Sequence, residues 1–95
     1  MAEVPATVLV VEDDDAMREL LTEELADAGY RVRAANGGSA GLEAARSEPV
    51  HLIITDVNMP GMDGITFLKT IKQHPTYRFT PVIMLTTESK ESRKQ

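Results

Sequence analysis

The chain has 95 residues, of which 42% are apolar and 26% charged, a composition typical of one globular domain. It contains no cysteine, which excludes disulfide bonds and cysteine-ligated metal sites. The net charge of −5 argues against general nucleic-acid binding. The sequence shows neither an apolar run that could cross a membrane nor an N-terminal signal pattern, so we expect a cytoplasmic protein.

The first predicted elements are a buried strand and an amphipathic helix. Thr7–Val11 is a continuous aliphatic and β-branched run, typical of a strand buried on both faces of a parallel sheet. Three aspartates that can each cap a helix follow at 13–15. A helix is then predicted up to Gly29, a residue that commonly ends helices. Its apolar positions are Met17, Leu20, Leu21, Leu25 and Ala28.

The rest of the chain alternates strand and helix patterns. Strands are predicted at 30–35, 50–55 and 81–86, and helices at 39–46, 65–73 and, as an opening turn, 88–95. Ser39 is the predicted cap of the second helix and Asp63 that of the third. Ile65, Leu68 and Ile71 are the predicted buried face of the third helix. This alternation predicts an α/β fold, a parallel sheet with helices on both faces.

Polar residues follow three of the predicted strands. Because the carboxyl ends of parallel strands meet in one crevice, Asp13 and Asp56 should converge there. Two carboxylates about 5 Å apart repel by about 3 kcal/mol at an effective dielectric of about 20, so a proton or a cation must offset them. Oxygen ligands of this kind suit Mg²⁺. For Asp14 and Asp15, helix capping and compensation of the helix dipole are sufficient explanations.

A carboxylate beside Mg²⁺ can accept a phosphoryl group as an acyl phosphate, and Asp56 is the candidate. Thr86, at the end of the neighbouring strand, could donate its hydroxyl to a phosphoryl oxygen. The sequence lacks the glycine-rich loops of nucleotide- and dinucleotide-binding proteins.

The segments 10–13, 54–64 and 81–86 read VVED, ITDVNMPGMDG and PVIMLT. They resemble the receiver domain of two-component response regulators, most closely the stand-alone chemotaxis type, and the resemblance runs from about Ala6 to the last residue. It implies a flavodoxin-like doubly wound parallel sheet of strand order 2-1-3-4-5. It also implies that a histidine kinase phosphorylates Asp56 and that Thr86 and Thr87 contact the phosphoryl group.

The resemblance further implies a Mg²⁺ site. Asp13 and Asp56 would bind the ion directly, Asn58 would bind it through its backbone carbonyl, and Glu12 would act through water.

The chain departs from the family at its C-terminal side. It stops within the predicted fourth helix, so we expect residues 1–95 to form a single incomplete receiver domain of strand order 2-1-3-4, with the fifth strand and last helix absent. The family's active-site lysine is missing, because Lys90 and Lys94 fall on the predicted fourth helix. The fourth strand should then be an open edge through which a homodimer could form.

Three functions remain open. The first is a signalling module whose output is contact with a downstream protein, with no turnover of a separate substrate. The second is a phosphatase that forms an aspartyl phosphate, but such enzymes usually carry a second aspartate where Asn58 stands. The third is a receiver fragment that signals poorly and associates through its open fourth-strand edge.

Overall fold

A computed structural model describes residues 5–86 as a four-stranded parallel sheet with helices on both faces. In chain order the elements are β1 (Thr7–Val11), α1 (Asp15–Asp27), β2 (Arg31–Ala35), α2 (Gly38–Ser47), β3 (Leu52–Asp56), α3 (Gly64–Lys72), a 3₁₀ turn (Pro75–Tyr77) and β4 (Val82–Leu85). The strand order is β2-β1-β3-β4, which confirms the predicted fold class. None of the helices in this part of the chain is long and apolar enough to span a membrane. Thr87 and the helix predicted at 88–95 lie outside the described residues.

The core lies on both faces of β1, whose five residues are all buried. Val8 and Val10 face α1, and Leu9 and Val11 face α2 and α3. Burying an aliphatic side chain of this size contributes about 1.5–3 kcal/mol, so the central strand holds the two layers of helices together. The partly buried α1 residues on the first face are Leu21 and Leu25, and the buried helical residues on the second are Ala45, Phe67 and Ile71.

Two aspartates begin helices in the way the sequence predicts. The Asp14 carboxylate accepts a hydrogen bond of 2.8 Å from the backbone N–H of Met17 at the start of α1. The Asp63 carboxylate accepts one of the same length from the N–H of Thr66 at the start of α3. These bonds satisfy backbone donors that have no partner within the helix. Both helices therefore begin directly after a strand-end loop.

The second helix begins differently from the prediction. It starts at Gly38 rather than after Ser39, and its cap, Gly37, makes no side-chain hydrogen bond. Close packing fixes this end instead: a Cβ at Gly41 would lie 2.9 Å from Cγ2 of Val11. The prediction of Ser39 as the cap was wrong, because the tight contact of the helix with β1 decides where it begins.

Two predicted helix faces also change. Ile65 is 48% exposed, and the buried residues of α3 are Gly64, Phe67 and Ile71. Leu20 of α1 is 51% exposed. In α3 the large Phe67 ring and the small Gly64 turn the helix by about one residue from the expected face. The spacing of apolar residues alone did not distinguish these two orientations.

Candidate functional site

Three carboxylates meet at the carboxyl edge of the sheet. One oxygen each from Glu12, Asp13 and Asp56 lies within 4.8 Å of the others, and we call these residues the acidic cluster. Glu12 and Asp56 are fully buried, and Asp13 is half-buried. Glu12 and Asp13 follow β1, while Asp56 is the last residue of β3, the neighbouring strand. The two strand ends therefore hold carboxylates together that are more than forty positions apart in the sequence.

Backbone and side-chain hydrogen bonds hold Glu12 in place. Its N–H donates to the carbonyl of Ala35 in β2 (3.0 Å), and its carboxylate accepts from the N–H of Asp14 (2.9 Å). The Arg18 guanidinium donates to the Glu12 carbonyl (3.0 Å) and pairs with Asp15 (2.6 Å). Glu12 is thereby fixed from two strands and one helix.

Sequence reasoning missed this part played by Arg18. Its one signal was the spacing of three residues from Asp15, which brings the two side chains together on a helix. The contact with the Glu12 carbonyl depends on how α1 packs and could not be read from that spacing.

The loop after β3 is anchored at both of its ends. The N–H of Asn58 donates to the Asp56 carboxylate (3.3 Å), and the N–H of Val57 donates to the Leu85 carbonyl in β4 (3.0 Å). At the far end, the N–H of Gly64 donates to the Val57 carbonyl (2.9 Å). These bonds keep Asp56 and the start of α3 in fixed relation.

Gly64 makes this close approach possible. A Cβ at this position would lie 2.3 Å from the carbonyl oxygen of Asp56 and 2.9 Å from Cα of Val57. Both are backbone atoms, which cannot swing aside as the end of a side chain can. The sequence contains this glycine at the predicted helix start, but the contact that requires it is visible only in the fold.

The other predicted site residues lie around the cluster. Asn58 is exposed and joined to Asp56 by the bond given above. Thr86 is exposed and directly follows Leu85, the register partner of Asp56. Thr87 is outside the described residues. Within residues 5–86 the lysines are Lys69 and Lys72, in the last turn of α3. The Lys72 ammonium donates to the carbonyls of Arg78 and Thr80, before the amino end of β4 and thus at the opposite edge.

The acidic cluster suits a hard divalent cation. Mg²⁺ binds oxygen ligands, commonly one or two carboxylates with water and phosphate oxygens. The half-buried Asp13 leaves the cluster accessible on one side, and Glu12 and Asp56 supply buried negative charge. At about 5 Å and a dielectric of about 20 each pair of carboxylates repels by about 3 kcal/mol, which a bound cation would offset.

Outside the cluster, the titration of Asp63 is altered by its capping role. The hydrogen bond from the backbone N–H of Thr66 is the main cause that holds the pKa of the Asp63 carboxyl below its ordinary value of 3.8. A hydrogen bond with the Thr66 side chain lowers this pKa further. The carboxylate form therefore stabilises the start of α3, beside the loop that carries Asp56.

Comparison with known proteins agrees with this fold and cluster. The sequence profile of the family described as the response regulator receiver domain matches residues 8–95. The chain therefore belongs to the response regulator receiver domain family. It is 37% identical over 82 residues to a probable chemotaxis protein CheY of Rhizobium etli, covering 85% of this chain and 64% of that protein. It is 42% identical over 83 residues to the DNA-binding transcriptional regulator NtrC of Escherichia coli, covering 86% of this chain and 17% of that protein.

A solved structure of a chemotaxis response regulator of Vibrio cholerae superposes with a TM-score of 0.86 at 41% identity, covering 97% of this chain and 77% of that one. This likeness agrees with the resemblance to the chemotaxis type. The chain nevertheless spans less than two thirds of the length of the two curated relatives described above.

Proposed function

We propose that Asp56 of this receiver module accepts a phosphoryl group from a sensor histidine kinase. The observation that carries the proposal is the acidic cluster, in which a fully buried strand-end aspartate lies beside two further carboxylates. A carboxylate in such a position can act as a nucleophile toward phosphorus. An oxygen of Asp56 would form the new P–O bond as the P–N bond of the phosphohistidine breaks, its electron pair remaining on the imidazole nitrogen.

Mg²⁺ is the proposed cofactor. Asp13 and Asp56 would bind it directly, Glu12 through water, and Asn58 through its backbone carbonyl. When bound, Mg²⁺ supplies neutralisation of the negative charge on the transferring oxygens. The support from this chain is the donor set of three carboxylates within reach of a single ion.

Thr86 and Thr87 are the proposed contacts of the phosphoryl group. Thr86 is supported by its position, one residue beyond the register partner of Asp56. Its hydroxyl would donate to a phosphoryl oxygen and link phosphorylation to the end of β4.

The partners follow from the same proposal. We infer a histidine kinase as the phosphodonor and a downstream protein as the receiver of the output, with neither nucleic acid nor a membrane as a direct partner of this module. The chain would accept the phosphoryl group on its own residue rather than turn over a separate substrate. We place it in the cytoplasm and treat residues 1–95 as a single incomplete receiver domain.

A second candidate is a signalling-impaired receiver fragment that forms a homodimer through the edge of β4. One observation favours it: in the described part of the chain, β4 pairs with β3 alone.

An amide NMR titration tests the proposed site. Mg²⁺ is added first and then beryllofluoride, a mimic of the phosphoryl group. We expect shifts centred on Asp13, Asp56 and Thr86, and their loss in Asp56→Asn. Asp27→Asn, at the exposed end of α1, is the matched control and should respond like the parent chain. Dispersed spectra that do not respond to either addition would contradict the proposal.

A further inference from the structure

The outer edge of β4 presents unpaired-strand geometry in residues 5–86. The N–H of Ile53 donates to the Pro81 carbonyl (3.1 Å), and the N–H of Val57 donates to the Leu85 carbonyl (3.0 Å). Residues 81, 83 and 85 therefore direct their backbone groups toward β3. Since these groups alternate along a parallel strand, Val82 and Met84 direct their N–H and C=O groups away from the sheet.

The side chains on this edge lack the features that usually protect an open strand. Residues 81–85 read PVIML and carry no charge. Ile83 is 47% exposed in the middle of the strand. Leu85, which lies on the same face as Ile83, packs against the cluster formed by Val8, Val10 and Ile54. Proteins commonly guard such edges with charged residues or prolines. The one proline, Pro81, faces its backbone toward β3 and leaves the outer ladder intact.

We propose that a second copy of this chain pairs antiparallel with β4, with the twofold axis passing through Ile83. A twofold axis perpendicular to the sheet keeps each side chain on its own face, so residues opposite each other must be separated by an even number of positions. With Ile83 on the axis, Val82 of one copy lies opposite Met84 of the other. Every outward N–H and C=O of Val82 and Met84 then has a partner.

This register also uses the exposed apolar surface. The Ile83 side chains of the two copies meet on one face as a non-hydrogen-bonded pair, whose Cα atoms lie about 4.5 Å apart in antiparallel sheets. An axis through Met84 would instead place Val82 opposite Thr86, which is beyond the end of β4. The strand as observed therefore favours Ile83.

Charge complementarity argues for a second copy in this orientation. Antiparallel pairing brings the amino end of one β4 next to the carboxyl end of the other. The amino end is preceded by the exposed Arg78 and by Lys72, whose ammonium binds the carbonyls of Arg78 and Thr80. The carboxyl end lies beside Asp56 of the acidic cluster. Basic groups of each copy thus approach the acidic edge of the other, and long-range repulsion between two chains of net charge −5 is largely screened at physiological ionic strength.

The dimer should be weak and reversible, since a strand of four residues buries little surface. It does not depend on phosphorylation of Asp56, so its failure would leave the proposed function standing. Conversely, a chain that does not accept a phosphoryl group could still pair in this way.

Cysteine cross-linking tests the register, because the chain has no cysteine of its own. A Cα separation of about 4.5 Å is within the range that a disulfide spans. Under mild oxidation we expect Ile83→Cys to form a covalent dimer about tenfold or more faster than Thr76→Cys, an exposed control outside the edge. Equal rates for these two variants, or faster cross-linking of Met84→Cys, would overturn the proposed register.

Sedimentation of the full chain tests the dimer itself. We expect concentration-dependent association of the parent up to about 1 mM and its loss in Ile83→Lys, which places like charges on the axis. Ile65→Lys is the matched control, since Ile65 on α3 is 48% exposed against 47% for Ile83, and it should associate like the parent.

Hydrogen exchange separates a second copy from other covers of the edge. The amides of Val82 and Met84 should become more protected as the concentration of the parent chain rises. A parent chain that stays monomeric, or protection of these amides that is independent of concentration, would overturn the proposal. The cross-linking and exchange results decide the matter even where Ile83→Lys does not fold.

Discussion

Asp13 is the member of the acidic cluster that remains half-buried, while Glu12 and Asp56 are fully buried. It is therefore the carboxylate through which a cation from solvent would enter. Replacing Asp13 by Asn removes one negative charge and leaves the side chain nearly unchanged in shape. A unit charge acting on a divalent ion at about 5 Å is worth about 1.7 kcal/mol even in a water-like dielectric.

We expect Asp13→Asn to weaken Mg²⁺ binding by about tenfold or more. Titration calorimetry or amide shifts at constant ionic strength would measure the change. Asp27→Asn at the exposed end of α1 should keep the affinity of the parent chain. Equal Mg²⁺ affinities for the parent and Asp13→Asn would show that the cluster does not hold the ion.

Asp63 gives a prediction of pH dependence. Chiefly the hydrogen bond from the N–H of Thr66 holds its pKa below 3.8 in the folded chain. A carboxyl whose pKa is lowered by folding stabilises the fold above its unfolded pKa, and loses this contribution as the pH falls through the lowered value. Wild type should therefore be more stable than Asp63→Asn at neutral pH, by a margin that shrinks below pH 3.8.

Urea unfolding at a series of pH values would measure this margin. Asp27→Asn serves as the reference for a carboxylate at an exposed position of a helix. A margin that stays constant, or grows, on acidification would contradict the assignment of the Asp63 carboxylate as the cap of α3.

At the scale of the elements, the junction of β3 with α3 is the most constrained part of the fold. We expect Gly64→Ala to lower the free energy of unfolding by about 1–3 kcal/mol, because the added Cβ overlaps the backbone of Asp56 and Val57. It should also weaken Mg²⁺ binding, since α3 can relieve the overlap only by displacing the end of β3.

Gly37→Ala is the control for this change. Gly37 is extended, with φ 176°, and a Cβ there meets no heavy atom within 4 Å. Denaturant unfolding and a Mg²⁺ titration of both variants would measure the two effects. A stable Gly64→Ala chain with unchanged Mg²⁺ affinity would show that the close approach is not required.

The elements also show where sequence reasoning succeeds and where it fails. The strand Thr7–Val11 was predicted with its observed bounds, because a strand buried on both faces leaves a continuous apolar run. The Asp63 cap was predicted because capping is a local hydrogen bond. The cap at Ser39 and the burial of Ile65 were wrong, because contacts of Gly41 and Phe67 with other parts of the fold decide them.

At the scale of the whole molecule, the parallel order of the strands explains why the candidate site could be anticipated. Once β1 and β3 are neighbours, their carboxyl ends must lie together, and so must Asp13 and Asp56. The complete burial of Glu12 and the contact of Arg18 with its carbonyl could not be anticipated, because they depend on how α1 and β2 pack.

The charges are arranged along the same direction as the strands. Acidic residues gather at the carboxyl edge of the sheet, while Lys72 and Arg78 lie near the amino end of β4. This polarity supports both a cation site at one edge and the antiparallel contact between two copies at β4.

Mapping a phosphoryl group onto the chain tests the central claim most directly. The parent chain is incubated with Mg²⁺ and a small acyl phosphate donor, and its intact mass and peptide fragments are then measured. The account predicts one added phosphoryl group, located on Asp56, that is absent without Mg²⁺ and absent in Asp56→Asn. A chain that stays unmodified while it binds Mg²⁺, or one that carries the phosphoryl group on another residue, would contradict it.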